Sequence, residues 1–224
     1  MERLTLVIGN KNYSSWSMRA WVLLAQLGID FEERKLRFET DEWDAGIGRL
    51  SPSGLVPVLW RGGVAVWDTL AIAETVAEWF PDRGVWPDDP VARAFARSAC
   101  AEMHAGFRNL RANMPMNIRS RHPGKGMTPQ VRTEIDRIEH LWGEARSRFG
   151  GGGDFLFGRF TAADAMFAPV VMRFATYAVT CGPVASRYCE AIGAATAVAA
   201  WCEGARAETE FVADDEPYAQ PPRP

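Results

Sequence analysis

Three serine hydroxyls crowd the predicted start of a helix, and they are the side chains best placed to do chemistry. Ser14, Ser15 and Ser17 lie between a β-type apolar run at residues 4–8 and a segment at residues 20–27 whose apolar positions recur at helical spacing. Backbone N–H groups at a helix N-terminus are unpaired and the helix dipole favours negative charge, so a hydroxyl there can help to hold an anion such as a thiolate. The alternative is that one serine only caps the helix.

The composition is that of an ordinary globular protein. The chain has 224 residues, of which 47% are hydrophobic and 24% charged, enough to bury one large or two small domains. Its formal charge of −3 gives no reason to expect a nucleic-acid partner. No apolar run approaches the roughly 20 residues that span a bilayer. We therefore expect a cytoplasmic protein that binds neither nucleic acid nor a membrane.

The cysteines give no support for a metal site. Cys100, Cys181, Cys189 and Cys202 all lie in the second half of the chain, without a C-x-x-C motif and without a histidine at ligand-like spacing. Reduced thiols in a helical domain behave as small hydrophobes. We expect reduced cysteines and no metal cofactor.

Residues 1–80 have the element order βαβαββα. Pro57 interrupts an apolar run and so marks a strand start, an edge or a special turn. Gly62 and Gly63 predict a tight hairpin, and Asp68 with Thr69 can cap the helix that follows. The predicted strands cover residues 4–8, 31–36, 55–60 and 64–67, and the second helical segment covers residues 39–50.

Residues 81–90 read as an interdomain linker because three prolines, a glycine and four charges interrupt both periodicities. Residues 91–212 read as an all-helical domain. Its predicted helices cover residues 91–114, closed by Pro115, then residues 129–150, then a helix started by a Thr161 and Asp164 capping box, and at least one more within residues 185–206. The Pro-rich tail, residues 213–224, is expected to wrap the surface or to be disordered.

This arrangement resembles the soluble glutathione transferases over almost the whole chain. The run Ser14-Ser15-Trp16-Ser17-Met18-Arg19 matches the S-S-x-S-x-R pattern of serine-type members similar to the zeta class. The resemblance implies an α/β + all-α fold, with an N-terminal thioredoxin-like βαβαββα domain and an all-helical C-terminal domain. It also implies glutathione as co-substrate and a homodimer.

The resemblance assigns the catalytic hydroxyl. Ser14 is the preferred donor to the glutathione sulfur because it stands five residues before Arg19, where related serine and cysteine classes place their catalytic residue. Ser15 and Tyr13 are the alternatives. A serine hydroxyl can donate a hydrogen bond to the sulfur and, with the helix dipole, lower the pKa of the thiol. No cysteine stands near Ser14, so thiol-exchange chemistry is disfavoured.

The resemblance also assigns the glutathione-binding residues. Val56 and Pro57 would form a cis peptide whose backbone pairs with the cysteinyl part, and Asp68 with Thr69 would hold the γ-glutamyl end. Leu55 stands where many relatives carry Lys or Gln, so the group that binds the glycyl carboxylate is open. Trp43 and Arg49 are the candidates for that group, and Ser14 and Ser15 complete the predicted site.

A second set of residues is predicted to bind the electrophile. His104, Phe107 and Arg111 stand at i, i+3 and i+7 of the predicted first helix of the second domain, so they share a face that could look into the interdomain cleft. Tyr13 would join them. The alternative is that Phe107 belongs to the core while His104 and Arg111 are solvated.

The preferred function is a detoxification-type transferase acting on a small hydrophobic electrophile. One alternative is glutathione-dependent cis–trans isomerisation of the maleylacetoacetate type, although Thr176 stands where the zeta class places a basic residue and Trp16 stands where that class has cysteine. The other alternative is a non-catalytic relative that binds ligands or proteins through the same fold.

Overall fold

A four-stranded sheet forms the N-terminal half of the protein, seen here in a computed structural model that describes residues 2–219. The strand order is β2-β1-β3-β4, with β1 and β2 parallel and the other neighbours antiparallel. The elements are β1 Leu4–Ile8, α1 Ser15–Gln26, β2 Glu32–Lys35, α2 Asp41–Leu50, β3 Val58–Arg61, β4 Val64–Trp67 and α3 Thr69–Trp79. The predicted βαβαββα order and thioredoxin-like fold class are confirmed.

Alternation along the strands divides the apolar side chains between two faces of the sheet. Leu6 and Leu59 face the main core, where α1 and α3 pack. Val7 and Val58 face the other side, which the apolar residues of α2 cover. The central strand β1 is thus buried on both faces, while the edge strands β2 and β4 are more exposed.

The C-terminal half is helical. Its elements are α4 Pro90–Ala105, α5 Arg108–Asn113, α6 Pro129–Phe149, α7 Ala162–Tyr177, α8 Pro183–Ala194 and α9 Thr196–Ala207, with one-turn 3-10 helices at Pro81–Arg83 and Ala213–Asp215. The helix α7 is buried along nearly its whole length. The predicted capping box is present at its start, where the Asp164 carboxylate accepts from the Thr161 N–H at 2.8 Å.

The prediction of one helix over residues 91–114 is wrong. The helix α4 ends at Ala105, and Phe107 adopts a left-handed conformation with φ of 52° before α5 begins. The Gly106 N–H donates a hydrogen bond to the Glu102 carbonyl at the end of α4. A Cβ on residue 106 would lie 2.8 Å from that carbonyl oxygen, so the close approach requires glycine. His104 and Arg111 therefore lie on two different helices, so the single shared face predicted from their spacing does not exist.

The two halves meet where α1 packs against α7. The buried Arg19 side chain of α1 donates from Nε to the Met166 carbonyl of α7 at 2.9 Å. From the other side, Arg173 of α7 donates to the Ser15 Oγ at 3.2 Å. These contacts fix the start of α1 against the middle of the helical domain.

The C-terminal segment returns to this junction. Glu216 accepts a hydrogen bond from the Tyr13 hydroxyl at 2.8 Å, and the Tyr218 hydroxyl donates to the Asn113 carbonyl at 2.7 Å. Residues 213–219 thus pack on the protein, in line with a surface wrap, while residues 220–224 of the predicted tail lie outside the described residues. Within residues 2–219, no helix combines the length and the hydropathy needed to cross a membrane.

The Asp164 carboxylate gives the first testable prediction, on stability. It accepts from the N–H and hydroxyl of Thr161, the N–H of Leu156 and the hydroxyl of Tyr188. Asp164→Ala leaves these buried donors unsatisfied and should lower the free energy of unfolding by about 3 kcal/mol, measured by urea denaturation. Asp136→Ala, at a side chain 65% exposed, is the control and should change it by less than about 0.5 kcal/mol. Equal losses in the free energy of unfolding for the two variants would contradict a stabilising role of the Asp164 hydrogen bonds.

Candidate active site

A cleft between the two halves contains most of the predicted site residues. It consists of two adjoining cavities, of about 530 and 510 Å³, that share Trp16, Leu55 and Val56 as walls. The first cavity is also lined by Ser53, Pro57, Trp67, Asp68, Thr69 and His104. The second is also lined by Tyr13, Ser14, Ser15, Phe38, Trp43, Arg108, Arg111, Ala112, Pro115, Met116, Arg173 and Asp215.

Ser14 is the N-cap residue of α1. Its Oγ accepts from the Ser17 N–H at 3.4 Å and donates its own proton to the Ser17 Oγ at 2.7 Å. The Ser17 Oγ in turn accepts from the Gly9 N–H at 3.1 Å. Ser14 is thus a capping residue that also lines the cavity, and its proton is engaged with Ser17.

Ser15 is the first residue of α1 and lies beside a buried guanidinium. Its Oγ accepts from the Arg173 Nη2 at 3.2 Å, and its carbonyl accepts from the Arg19 Nη1 at 3.0 Å. Within residues 2–219 no acceptor takes the Ser15 hydroxyl proton. The start of α1 therefore offers a hydroxyl donor, a helix N-terminus and the neighbouring Arg173 cation to an anion in the cavity.

The Tyr13 hydroxyl already forms hydrogen bonds with other residues of the protein. It donates to the Glu216 carboxylate and accepts from the Arg119 Nη2 at 2.8 Å. Burial, and next the hydrogen bond to Glu216, raise the pKa of Tyr13. A phenol held in this way is poorly placed to donate to a sulfur.

The Val56–Pro57 peptide bond is cis, as predicted. Val56 lies just before β3, whose register with β1 ends at the Val7 and Val58 pair. Its backbone groups therefore lie beyond the ladder, next to both cavities. The neighbouring Leu55 side chain is 67% exposed and forms an apolar lip of the cleft.

Asp68 stands at the far end of the first cavity in an unusual backbone conformation, with φ of 72°. This backbone conformation costs free energy for a non-glycine residue, so it persists only where the surrounding structure holds it, as is common at functional sites. Its carboxylate caps α3 through the Leu70 N–H at 3.1 Å and lies 3.3 Å from the His104 Nε2. Together with Thr69 at the start of α3, it presents one carboxylate and one helix N-terminus to the cavity.

Three arginines lie close together near the start of α1, and two of them, Arg111 and Arg173, line the second cavity. The Arg19 and Arg111 guanidinium carbons lie 4.3 and 5.3 Å from the Trp16 ring centre, within cation–π distance. Burial, and next the charges of Arg173 and Arg111, lower the pKa of Arg19. Burial, and next Arg111, lower the pKa of Arg173 to about 10, so it stays charged at neutral pH.

The structure separates the predicted electrophile residues. His104 lines the first cavity, whereas Tyr13 and Arg111 line the second. Phe107 is buried in the hydrophobic core and lines neither cavity, because its left-handed backbone turns the chain inward after α4. Of the two candidates for the glycyl carboxylate, Trp43 lines the second cavity, while Arg49 is exposed and lines neither.

Three charged residues that were not predicted from the sequence also line the second cavity: Arg108, Arg173 and Asp215. Arg108 could have been found from its helical spacing to Arg111. The other two stand within a helix predicted as core and within the tail, and only the folded chain brings them to Ser15. Burial raises the pKa of Asp215 to about 6, although Arg173 opposes this effect.

Comparisons with solved structures agree with this architecture. A glutathione transferase homolog from Burkholderia gl BGR1, solved with bound glutathione, is 23% identical with a TM-score of 0.70, covering 92% of this chain and 99% of that one. Glutathione transferase Omega 2S from Trametes versicolor, in complex with 2,4-dihydroxybenzophenone, is 21% identical with a TM-score of 0.69, covering 92% and 95%. At these identities the likeness establishes the shared fold.

Comparisons of sequence identify the family. A probable maleylacetoacetate isomerase of Caenorhabditis elegans is 26% identical over 162 residues, which cover 70% of this chain and 73% of that protein. Glutathione S-transferase 1 of Dianthus caryophyllus is 34% identical over 82 residues, 36% of this chain and 37% of that one. The model of the glutathione S-transferase N-terminal domain matches residues 13–79, and that of the C-terminal domain matches residues 128–204. Because the two domain models match in order and together cover more than half of the residues, this chain belongs to the glutathione S-transferase family.

Proposed function

We propose that the protein is a glutathione transferase that binds glutathione along the first cavity and joins its sulfur to a small electrophile in the second. The observation that carries the proposal is the start of α1, where the Ser14 and Ser15 hydroxyls face the second cavity beside two buried arginines. A thiol with a pKa near 8.5 is only a few per cent ionised at neutral pH, so a transferase must stabilise the thiolate.

The first cavity has complementary groups for an extended tripeptide. Asp68 can receive the ammonium of a γ-glutamyl end, while the N-terminus of α3 at Thr69 can donate to its carboxylate. The Val56 backbone, outside the ladder, can pair with the cysteinyl part. Such binding brings the sulfur toward the start of α1, because Val56 and Trp16 belong to both cavities.

The chemistry then needs only stabilisation of an anion. Ser14, the donor predicted from the sequence, must give up its hydrogen bond to Ser17 before it can donate to a sulfur. Ser15 can donate without such a rearrangement. In either case the thiol proton passes to solvent, the thiolate attacks the electrophilic carbon, and the leaving group departs or the double bond accepts the electron pair.

A second candidate function is the glutathione-dependent isomerisation of an unsaturated acid. The observation that favours it is the set of guanidinium groups from Arg108, Arg111 and Arg173, which could hold the carboxylates of such a substrate. Turnover of the acid without net consumption of glutathione would distinguish isomerisation from conjugation.

We also propose a cytoplasmic homodimer. Support for an intersubunit contact comes from three exposed apolar side chains, of which Trp67 also lines the first cavity: Val64 and Trp67 on the edge strand β4 and Val91 at the start of α4 are 57%, 45% and 58% exposed. Sedimentation velocity of the full chain measures the assembly, and a concentration-independent monomer would contradict it.

The transferase proposal predicts a loss of turnover when both hydroxyls are removed. The Ser14→Ala, Ser15→Ala double variant should lose about 100-fold in kcat/KM for conjugation of glutathione to 1-chloro-2,4-dinitrobenzene, because no hydroxyl then donates to the sulfur. Ser98→Ala, at an exposed hydroxyl of α4, is the matched control and should keep its activity.

Two results would count against the transferase proposal. Undiminished turnover in the double variant would place sulfur activation elsewhere. Retention of the wild-type protein on immobilised glutathione, without conjugation of any tested electrophile, would support the non-catalytic alternative.

Asp68 in the first cavity is expected to affect glutathione binding separately from sulfur activation. Asp68→Ala should raise the KM for glutathione about tenfold with a smaller change in kcat, because it removes one charge-assisted contact to the ammonium. The substitution also removes a helix cap. Asp89→Ala is therefore the control, since Asp89 caps α4 through Val91 and Ala92 but lines neither cavity. Equal KM values for the two variants would show that Asp68 acts only as a cap.

A further inference from the structure

Arg173 is a buried cation without an ion-pair partner. Its side chain sits on α7 and is 4% exposed, and its Nε and Nη1 donate to the carbonyls of Met114 and Pro169 at 2.9 and 3.3 Å. Its remaining hydrogen bond goes to the Ser15 Oγ at 3.2 Å. Within residues 2–219 no carboxylate lies within ion-pair distance of this guanidinium.

An uncompensated buried charge is unfavourable in a resting protein. The surroundings add to the cost, because Arg19 and Arg111 are nearby cations and Arg108 lines the same cavity. The acid that faces Arg173 from the tail is Asp215, whose pKa burial raises to about 6 and whose charge acts on Arg173 from beyond ion-pair distance. An anion at the start of α1 would give Arg173 a closer countercharge than Asp215 does.

The hydrogen bond between Arg173 and Ser15 also sets the direction of the hydroxyl. A guanidinium only donates, so the Ser15 Oγ must be the acceptor and its proton must point elsewhere. The Ser15 residue lines the second cavity, whereas the Ser14 proton is given to Ser17 at 2.7 Å. Ser15 is therefore the hydroxyl whose proton is available to a sulfur in the cavity.

We propose that Arg173 is a positioning residue for the transferase reaction: it orients the Ser15 hydroxyl toward the glutathione sulfur and stabilises the thiolate by its charge. This inference rests on the proposed function and deepens it, since it names Ser15 as the donor and leaves Ser14 as the cap of α1. Arg173 stays protonated throughout. The thiol proton passes to solvent, and the bond that forms is the one between sulfur and the electrophile.

A purely structural role for Arg173 makes a different prediction. Its bond to the Met114 carbonyl ties the end of α5 to α7, and losing that bond would lower stability without changing the acidity of a bound thiol. Thr176 offers a matched control on the same helix, because its buried hydroxyl ties the Asn117 carbonyl to α7 at 2.8 Å and lines neither cavity of the cleft.

The test is the pKa of glutathione bound to the full-length protein, measured from the ultraviolet absorbance of its thiolate as a function of pH. Arg173→Gln should raise that pKa by about one unit, which is a tenfold fall in the ratio of thiolate to thiol at a fixed pH. Arg173→Lys keeps the charge and should recover most of the shift. Thr176→Val should leave the pKa at the wild-type value. An unchanged pKa in Arg173→Gln would overturn the inference.

A second pair of variants keeps the test informative if Arg173→Gln does not fold. Ser15→Ala should raise the pKa of the bound thiol more than Ser14→Ala does, while Ser14→Ala should lower the melting temperature more because it removes a cap. The opposite order of pKa effects would overturn the assignment of Ser15. Failure of the proposed function has a different signature: wild-type protein would then bind glutathione with an unshifted thiol pKa, or would not bind it.

Discussion

The packing of α1 against α7 is the contact on which the active-site geometry depends. The start of α1 is held between two arginines: Arg19 binds the Ser15 carbonyl from within the helix, and Arg173 reaches the Ser15 hydroxyl from α7. Both guanidinium groups are buried, so their hydrogen bonds have few competing water molecules. A shift of α7 by a fraction of a helical turn would break the Arg173 bond to Ser15 and the Arg19 bond to the Met166 carbonyl. The sheet domain thus supplies the hydroxyl and the helical domain supplies the charge beside it.

Positive charge is concentrated in the second cavity of the cleft, because the arginines that line it come from the helical half. The first cavity has one acid, Asp68, and one histidine, which suits a zwitterionic end of a ligand. The second cavity has three arginines and one acid, Asp215. The net positive charge that lines the second cavity favours the binding of an anionic group there. The apolar and aromatic walls formed by Trp43 and Phe38 provide the area that a small hydrophobic body needs.

Local signals accounted for the parts of the fold and site that the sequence predicted. The caps at Asp68 and Thr161 and the cis bond before Pro57 each depend on a few neighbouring residues with fixed backbone preferences. The break after Ala105 escaped prediction because one glycine in a helical pattern is compatible with either a continuous helix or an end. The positions of Arg173 and Asp215 escaped it for another reason, since only tertiary packing brings them to α1 from more than 150 residues away in sequence.

Trp16 shows how a departure from the zeta-like pattern can be accommodated. Its indole replaces the cysteine of that pattern and stands between the two cavities, with Arg19 at 4.3 Å, Arg111 at 5.3 Å and the His104 ring at 5.2 Å. An aromatic face attracts cations, so the ring offsets part of the repulsion between the Arg19 and Arg111 guanidinium groups. A cysteine could neither fill this volume nor provide that face. The large ring thus makes the Arg19 and Arg111 cations tolerable beside the start of α1.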